Sequence, residues 1–127
     1  MDLQRLTRKE KGAILKTLIT IAGADNHLSY SENIFLNMFL MKINEDNTFL
    51  DYLNYISPNE TIQLIRNLNY SNKQDLVYLW IQMASKASGD YSGVFCVNDF
   101  PNEKNRILEL ARLCDINIDI YKKYTVY

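Results

Sequence analysis

The chain is predicted to be an all-α domain, and three observations carry that reading. Apolar residues recur at intervals of three and four along most of its length. Helix-start signatures stand at Thr7, Ser29, Ser57, Ser71 and Pro101. The alternation of a β-strand is confined to Val94-Phe95-Cys96-Val97. At 127 residues, with 47% hydrophobic and only 4 Gly and 2 Pro, one domain spanning 1–127 is expected, with its core in about 7–124. The architecture expected is a bundle of about six or seven helices. The composition excludes a disordered tail, a collagenous repeat and a small disulfide scaffold.

Each element has its own warrant. Thr7-Arg8-Lys9-Glu10 matches a capping box and opens a helix to about Ala22, with Ile14, Leu15, Leu18, Ile19 and Ala22 on one face. Ser29-Tyr30-Ser31-Glu32 is a second box, opening a helix to about Ile43. That helix is apolar nearly all round, which predicts enclosure by other helices. A short helix over 47–56 turns Phe49, Leu50 and Leu53 inward. Ser57-Pro58-Asn59-Glu60 sets a cap, a proline at the first helical position and a reaching glutamate, with the helix ending near Asn69. Ser71-Asn72-Lys73-Gln74 starts the next, to about Ala87, buried through Leu76, Val77, Leu79, Trp80, Ile81, Met83 and Ala84. Pro101 opens a helix to about Cys114, with Ile107, Leu110, Ala111 and Cys114 on one stripe, and Ile118 to about Tyr124 adds a final turn or two.

The net charge of −1 argues against nucleic-acid binding, which needs a basic face to neutralise phosphates. The charge is unevenly spread: residues 1–16 carry net +3, residues 17–65 net −5 and the remainder net +1. An acidic middle suits a cation or a basic partner, or is an ordinary solvated surface. Cys96 and Cys114 form no CxxC pair, and the single His27 leaves no Cys/His zinc set. The basic N-terminus, the apolar run Ala13–Ile21 and Ala22-Gly23-Ala24 imitate a signal peptide, but Lys16, Thr17 and Thr20 interrupt the run at helical spacing. No stretch reaches the roughly 18–20 apolar residues of a membrane span. A cytoplasmic location is expected.

An offset of 63 residues superposes Ile14 on Val77, Leu18 on Ile81, Ile21 on Ala84 and Ala24 on Ala87. Both halves run from an apolar helix through a polar turn into a capped helix. Such halves can pack about a pseudo-twofold, each covering the apolar face of the other. The first turn, Ala24-Asp25-Asn26-His27-Leu28-Ser29-Tyr30-Ser31-Glu32, keeps an aspartate and a glutamate seven residues apart. In the second, Ser88 stands at the aspartate position, Gly89 keeps a glycine, and Glu103 follows about eight residues late. An apolar helix leading into Ala-Asp-Gly-x-(apolar)-x-x-x-Glu, twice over, resembles the tellurite-resistance TerB-like domain, across roughly residues 10–120. Asn26 replaces the family's usual glycine. The resemblance implies about seven helices and a non-enzymatic role in stress-response systems or in assemblies near the inner face of the membrane. For some members it also implies divalent-cation binding.

The candidate sites follow. Asp25 and Glu32, with Glu103 from the other half, form a candidate metal set, since carboxylates are hard ligands for Ca²⁺ or Mg²⁺. The same residues also serve a purely local purpose, Asp25 closing the turn and Glu32 completing the cap on Ser29. No other cofactor is expected. His27 lacks the rest of a catalytic set: there is no Gly-x-Ser-x-Gly and no glycine-rich phosphate loop, so no enzymatic activity is expected. The connection Ser88–Phe100 is long for a compact domain and holds Tyr91, Phe95 and Phe100, a candidate partner-docking set that could equally tuck over the core. The expected role is a scaffold or interaction module with a protein partner, without catalysis.

Overall fold

The computed structural model describes residues 1–23, 30–86 and 101–117. These residues form six α-helices and two 3-10 turns, with no strand among them. The helices are α1 (Arg8–Ala22), α2 (Tyr30–Ile43), α3 (Phe49–Tyr52), α4 (Pro58–Arg66), α5 (Tyr70–Lys86) and α6 (Pro101–Leu113). The 3-10 turns are Leu3–Arg5 and Leu53–Tyr55, the second continuing α3. The Val94–Val97 run and the expected turn after Ile118 lie outside the described residues.

The helix starts are made by the side chains that announce them. Thr7 Oγ1 accepts from the Glu10 amide at 3.1 Å while the Glu10 carboxylate accepts from the Thr7 amide at 2.8 Å, a reciprocal box. Ser57 caps α4 by accepting from the Glu60 amide at 3.0 Å, with Pro58 at the first position. The Glu60 carboxylate does not follow the expected box but reaches across to Lys9 at 3.0 Å. α4 stops at Arg66, short of Asn69, because Asn69 is already the next cap: its Oδ1 accepts from the Asn72 amide at 2.7 Å. α5 is therefore capped two residues before Ser71, the cap that its sequence suggests, and begins at Tyr70. α6 ends on a Schellman motif, with the Ile116 amide on the Ala111 carbonyl at 2.9 Å and Asp115 at φ 56° in the position that glycine usually takes.

α1 is the hub. It packs against α2, α4, α5 and α6, and Ala13, Ile14, Leu15, Leu18 and Ile21 are buried along it. Enclosure on this scale forces its polar side chains to find partners inside the protein. The Lys11 ammonium, 6% exposed, donates to the Ile43 carbonyl at 3.1 Å and to Glu45 at 3.0 Å. Half-buried Lys16 donates to the carbonyls of Leu53 at 3.1 Å and Ile56 at 2.5 Å, closing the end of the second 3-10 turn. Thr17 donates to the Ile14 carbonyl at 2.6 Å and accepts from the indole nitrogen of Trp80 at 2.9 Å. At Gly12, helix and turn approach so closely that a Cβ would lie 2.7 Å from Ile56 Cδ1.

The predicted stripe Ile107, Leu110, Ala111 and Cys114 of α6 is buried as a set, as are Leu76, Val77, Trp80, Ile81, Met83 and Ala84 of α5. Three burial expectations are corrected. Leu79 of α5 is only half-buried, on the side of the helix that turns toward α2. Leu50 points outward at 55% exposure, because α3 is a single turn and seats only Phe49 and, beyond it, Leu53. α2 is not enclosed. Among the described residues it packs against α1, α5 and the first 3-10 turn, leaving one side of the helix open.

Candidate functional site

The open side of α2 is apolar. Tyr30, Ile34, Met38 and Met41 follow one another at spacings of four, four and three along it, and Met41 and Tyr30 are each 80% exposed. Asn33 and Asn37 share this side. The helix has just two charged residues, Glu32 and Lys42. Glu32 is turned inward and is 1% exposed, so the outer face is nearly uncharged. Contiguous apolar patches are uncommon on the surface of monomeric proteins, whereas scattered exposed apolar residues are ordinary.

Beside the stripe a cleft of about 510 Å³ runs between α2 and α5. α2 contributes Phe35, Met38, Phe39 and Lys42 to its walls, and α5 contributes Asp75, Tyr78, Leu79 and Gln82. Each set has the spacing i, i+3, i+4, i+7, which is one face of a helix. Gln4 donates to the Lys42 carbonyl at 2.9 Å, and the Met1 amino group pairs with Asp75 at 2.5 Å. The end of α2 and the start of α5 thus meet at the N-terminal segment, and the two helices run antiparallel.

The expected site residues are distributed differently. Asp25, Tyr91, Phe95 and Phe100, together with His27 and Cys96, lie outside the described residues. Glu103 belongs to the first turn of α6, but its side chain is outside the description. Glu32 alone of the candidate ligands is fully in view, buried on the inner side of α2. Among the described residues, no group of three His, Cys, Asp or Glu side chains converges on a point.

The charge imbalance read from the sequence has a local use in the fold. Bases of the first sixteen residues meet acids of the middle segment: Arg8 with Glu45 at 3.4 Å and Asp46 at 3.5 Å, Lys9 with Glu60 at 3.0 Å, and Lys11 with Glu45 at 3.0 Å. The Arg8 guanidinium also lies over the Tyr52 ring, 4.6 Å from its centroid. The hydroxyl and amide of Thr48 hold the Asp46 carboxyl below its ordinary pKa, and the bond to Glu60 raises that of Lys9. Burial pushes the Cys114 thiol up to about 11 despite Lys73 and Arg66 nearby, which makes it a poor nucleophile.

Sequence reasoning found α2 but assigned its apolar surplus to the core. The missed signal was its length against its charge: fourteen residues with so few charged groups exceed what one packed face needs. No helix among the described residues is long and apolar enough to cross a membrane. No family model, curated protein or solved structure matches the chain.

Proposed function

We propose that this chain is a non-enzymatic helical interaction module with a TerB-like core, working in the cytoplasm and docking a protein partner through the outer face of α2. The exposed stripe Tyr30, Ile34, Met38 and Met41 carries the reading. Leaving four large apolar side chains in water is unfavourable by roughly 25 cal/mol for each Å² exposed, and a partner that covers them recovers that free energy. Methionine suits such a surface because its unbranched chain adapts to the shape that covers it.

The TerB-like part rests on the offset of 63 residues. Thr17 and Trp80 are separated by that same interval and are joined by a hydrogen bond between the two packed helices α1 and α5. In a twofold pair, equivalent residues near the axis meet one another, and a contact between residues 63 apart supports that reading. Stress response and assemblies at the membrane's inner face are the settings that the resemblance implies.

Capture of partners by in-cell crosslinking tests the docking reading. The double variant Ile34→Asp/Met41→Asp should fold as the wild type does and lose the captured partner. Retention of the partner by that variant, with loss in Tyr91→Ser/Phe95→Ser/Phe100→Ser, would move the docking site to the 88–100 connection.

A second reading takes Asp25, Glu32 and Glu103 as ligands of Ca²⁺ or Mg²⁺. The observation in its favour is Glu32, a carboxylate 1% exposed at the start of a helix. Calorimetry with either cation tests it, and an isotherm unchanged by Asp25→Ala removes it.

A further inference from the structure

We infer that the cleft between α2 and α5 is a binding site for a small amphipathic carboxylate, such as a medium-chain fatty acid. Four features carry this, and none of them depends on the docking reading.

The cleft has two facing walls of helical side chains, each running from i to i+7, so its floor extends about 10 Å at 1.5 Å per residue. Phe35, Phe39 and Leu79 make that floor apolar, and the volume of about 510 Å³ falls within the range of small-molecule sites. At the end where α2 meets the N-terminal segment, the charges are unequal in availability. Asp75 is neutralised by the Met1 amino group at 2.5 Å, whereas Lys42 is exposed and makes no ion pair among the described residues. The walls therefore present an apolar trough with one available cation at its end. Neutral polar groups, Tyr78 and Gln82, stand on the α5 side.

An occupant that matches this has an apolar body of about 10 Å and a single negative head. The head pairs with the Lys42 ammonium in a charge-assisted hydrogen bond, and the body covers Phe35, Phe39 and Leu79. A polyanion does not fit, because the end of the cleft offers only the one available cation, Lys42, among the described residues. A long neutral lipid leaves Lys42 unsatisfied.

Titration calorimetry on the full chain with sodium decanoate, kept below micelle formation, tests the inference against decanol as a neutral analogue of equal length. Saturable binding of one decanoate per chain is expected, with decanol about threefold to fivefold weaker. Lys42→Glu should weaken decanoate by about fivefold while changing decanol by less than about twofold. Leu79→Trp, which fills the trough, should abolish both, with its helical circular dichroism retained. Absence of saturable binding overturns the inference, as does equal affinity for the acid and the alcohol. Unchanged decanoate binding in Lys42→Glu or in a folded Leu79→Trp also overturns it. Partition onto phosphatidylcholine vesicles without uptake of free decanoate would mean that the surface recognises a bilayer instead, and likewise overturns it.

Discussion

α1 and α2 are near neighbours in sequence and touch in the fold, yet they use their residues in opposite ways. α1 is the less apolar of the two and lies at the centre, with Lys11 and Thr17 among its buried side chains. α2 is the more apolar and lies at the edge, with Met38, Met41 and Tyr30 in water. Burial follows how many neighbours a helix has rather than how apolar it is. A hub packed against four helices buries the side chains on the faces they cover, although Ile19 on its remaining side is exposed. The enclosed polar groups are matched with partners: Lys11 with Ile43 and Glu45, Lys16 with Leu53 and Ile56, Thr17 with Trp80. A helix with neighbours on one side only leaves its surplus apolar residues exposed, available for something outside the chain.

Substitutions can break or sharpen this contrast. The largest effect is expected at Trp80, the largest of the fully buried side chains. Trp80→Ala should cost about 3–5 kcal/mol by urea unfolding, through lost burial and a residual cavity. Next, Lys11→Met removes a buried cation while leaving Glu45 and the Ile43 carbonyl behind, and about 2 kcal/mol should be lost. A gain in stability there would show that α1 tolerates its polar groups without needing them. Thr17→Val keeps the volume but leaves the Trp80 indole N–H without an acceptor, a cost of about 1–2 kcal/mol in the same assay.

At the outer face of α2, Met38→Asp/Met41→Asp should change stability by less than about 0.5 kcal/mol, although it replaces two large apolar side chains with charges. A loss near that of Thr17→Val would mean that the stripe is core after all. The Cys114 thiol supplies a pH test. Because its folded pKa of about 11 lies above the ordinary thiol value near 8.5, its contribution to stability is complete below the latter and declines as pH rises through the former. In a Cys96→Ser background, alkylation of Cys114 at pH 8 should be slow in the folded chain and rapid in urea, as read by mass spectrometry.

Several features of the fold could be read before any coordinates. The cap at Thr7 and the proline at the head of α4 signal through atoms within four residues of one another, so local chemistry suffices. The stripe of α6 was legible for the same reason, its spacing naming its buried face. The start of α5 was not, because Asn69 and Ser71 are both competent caps and the choice depends on where α4 stops. Of the candidate site, Glu32 was expected as a ligand or cap residue and is buried. The cleft and its Lys42 went unseen, since they belong to two helices some thirty-three residues apart in the chain, Lys42 to Asp75.

By itself, the sequence determined that the chain is helical and where most helices begin, because turns, caps and apolar periods act over a few residues. It also determined that the first sixteen residues and the middle of the chain carry opposite charge. Tertiary structure alone decided that these charges meet each other, that α1 is the hub and that α2 faces outward. Those outcomes depend on which elements compete for the same apolar surface, and a helix holds no local record of how many neighbours it will have.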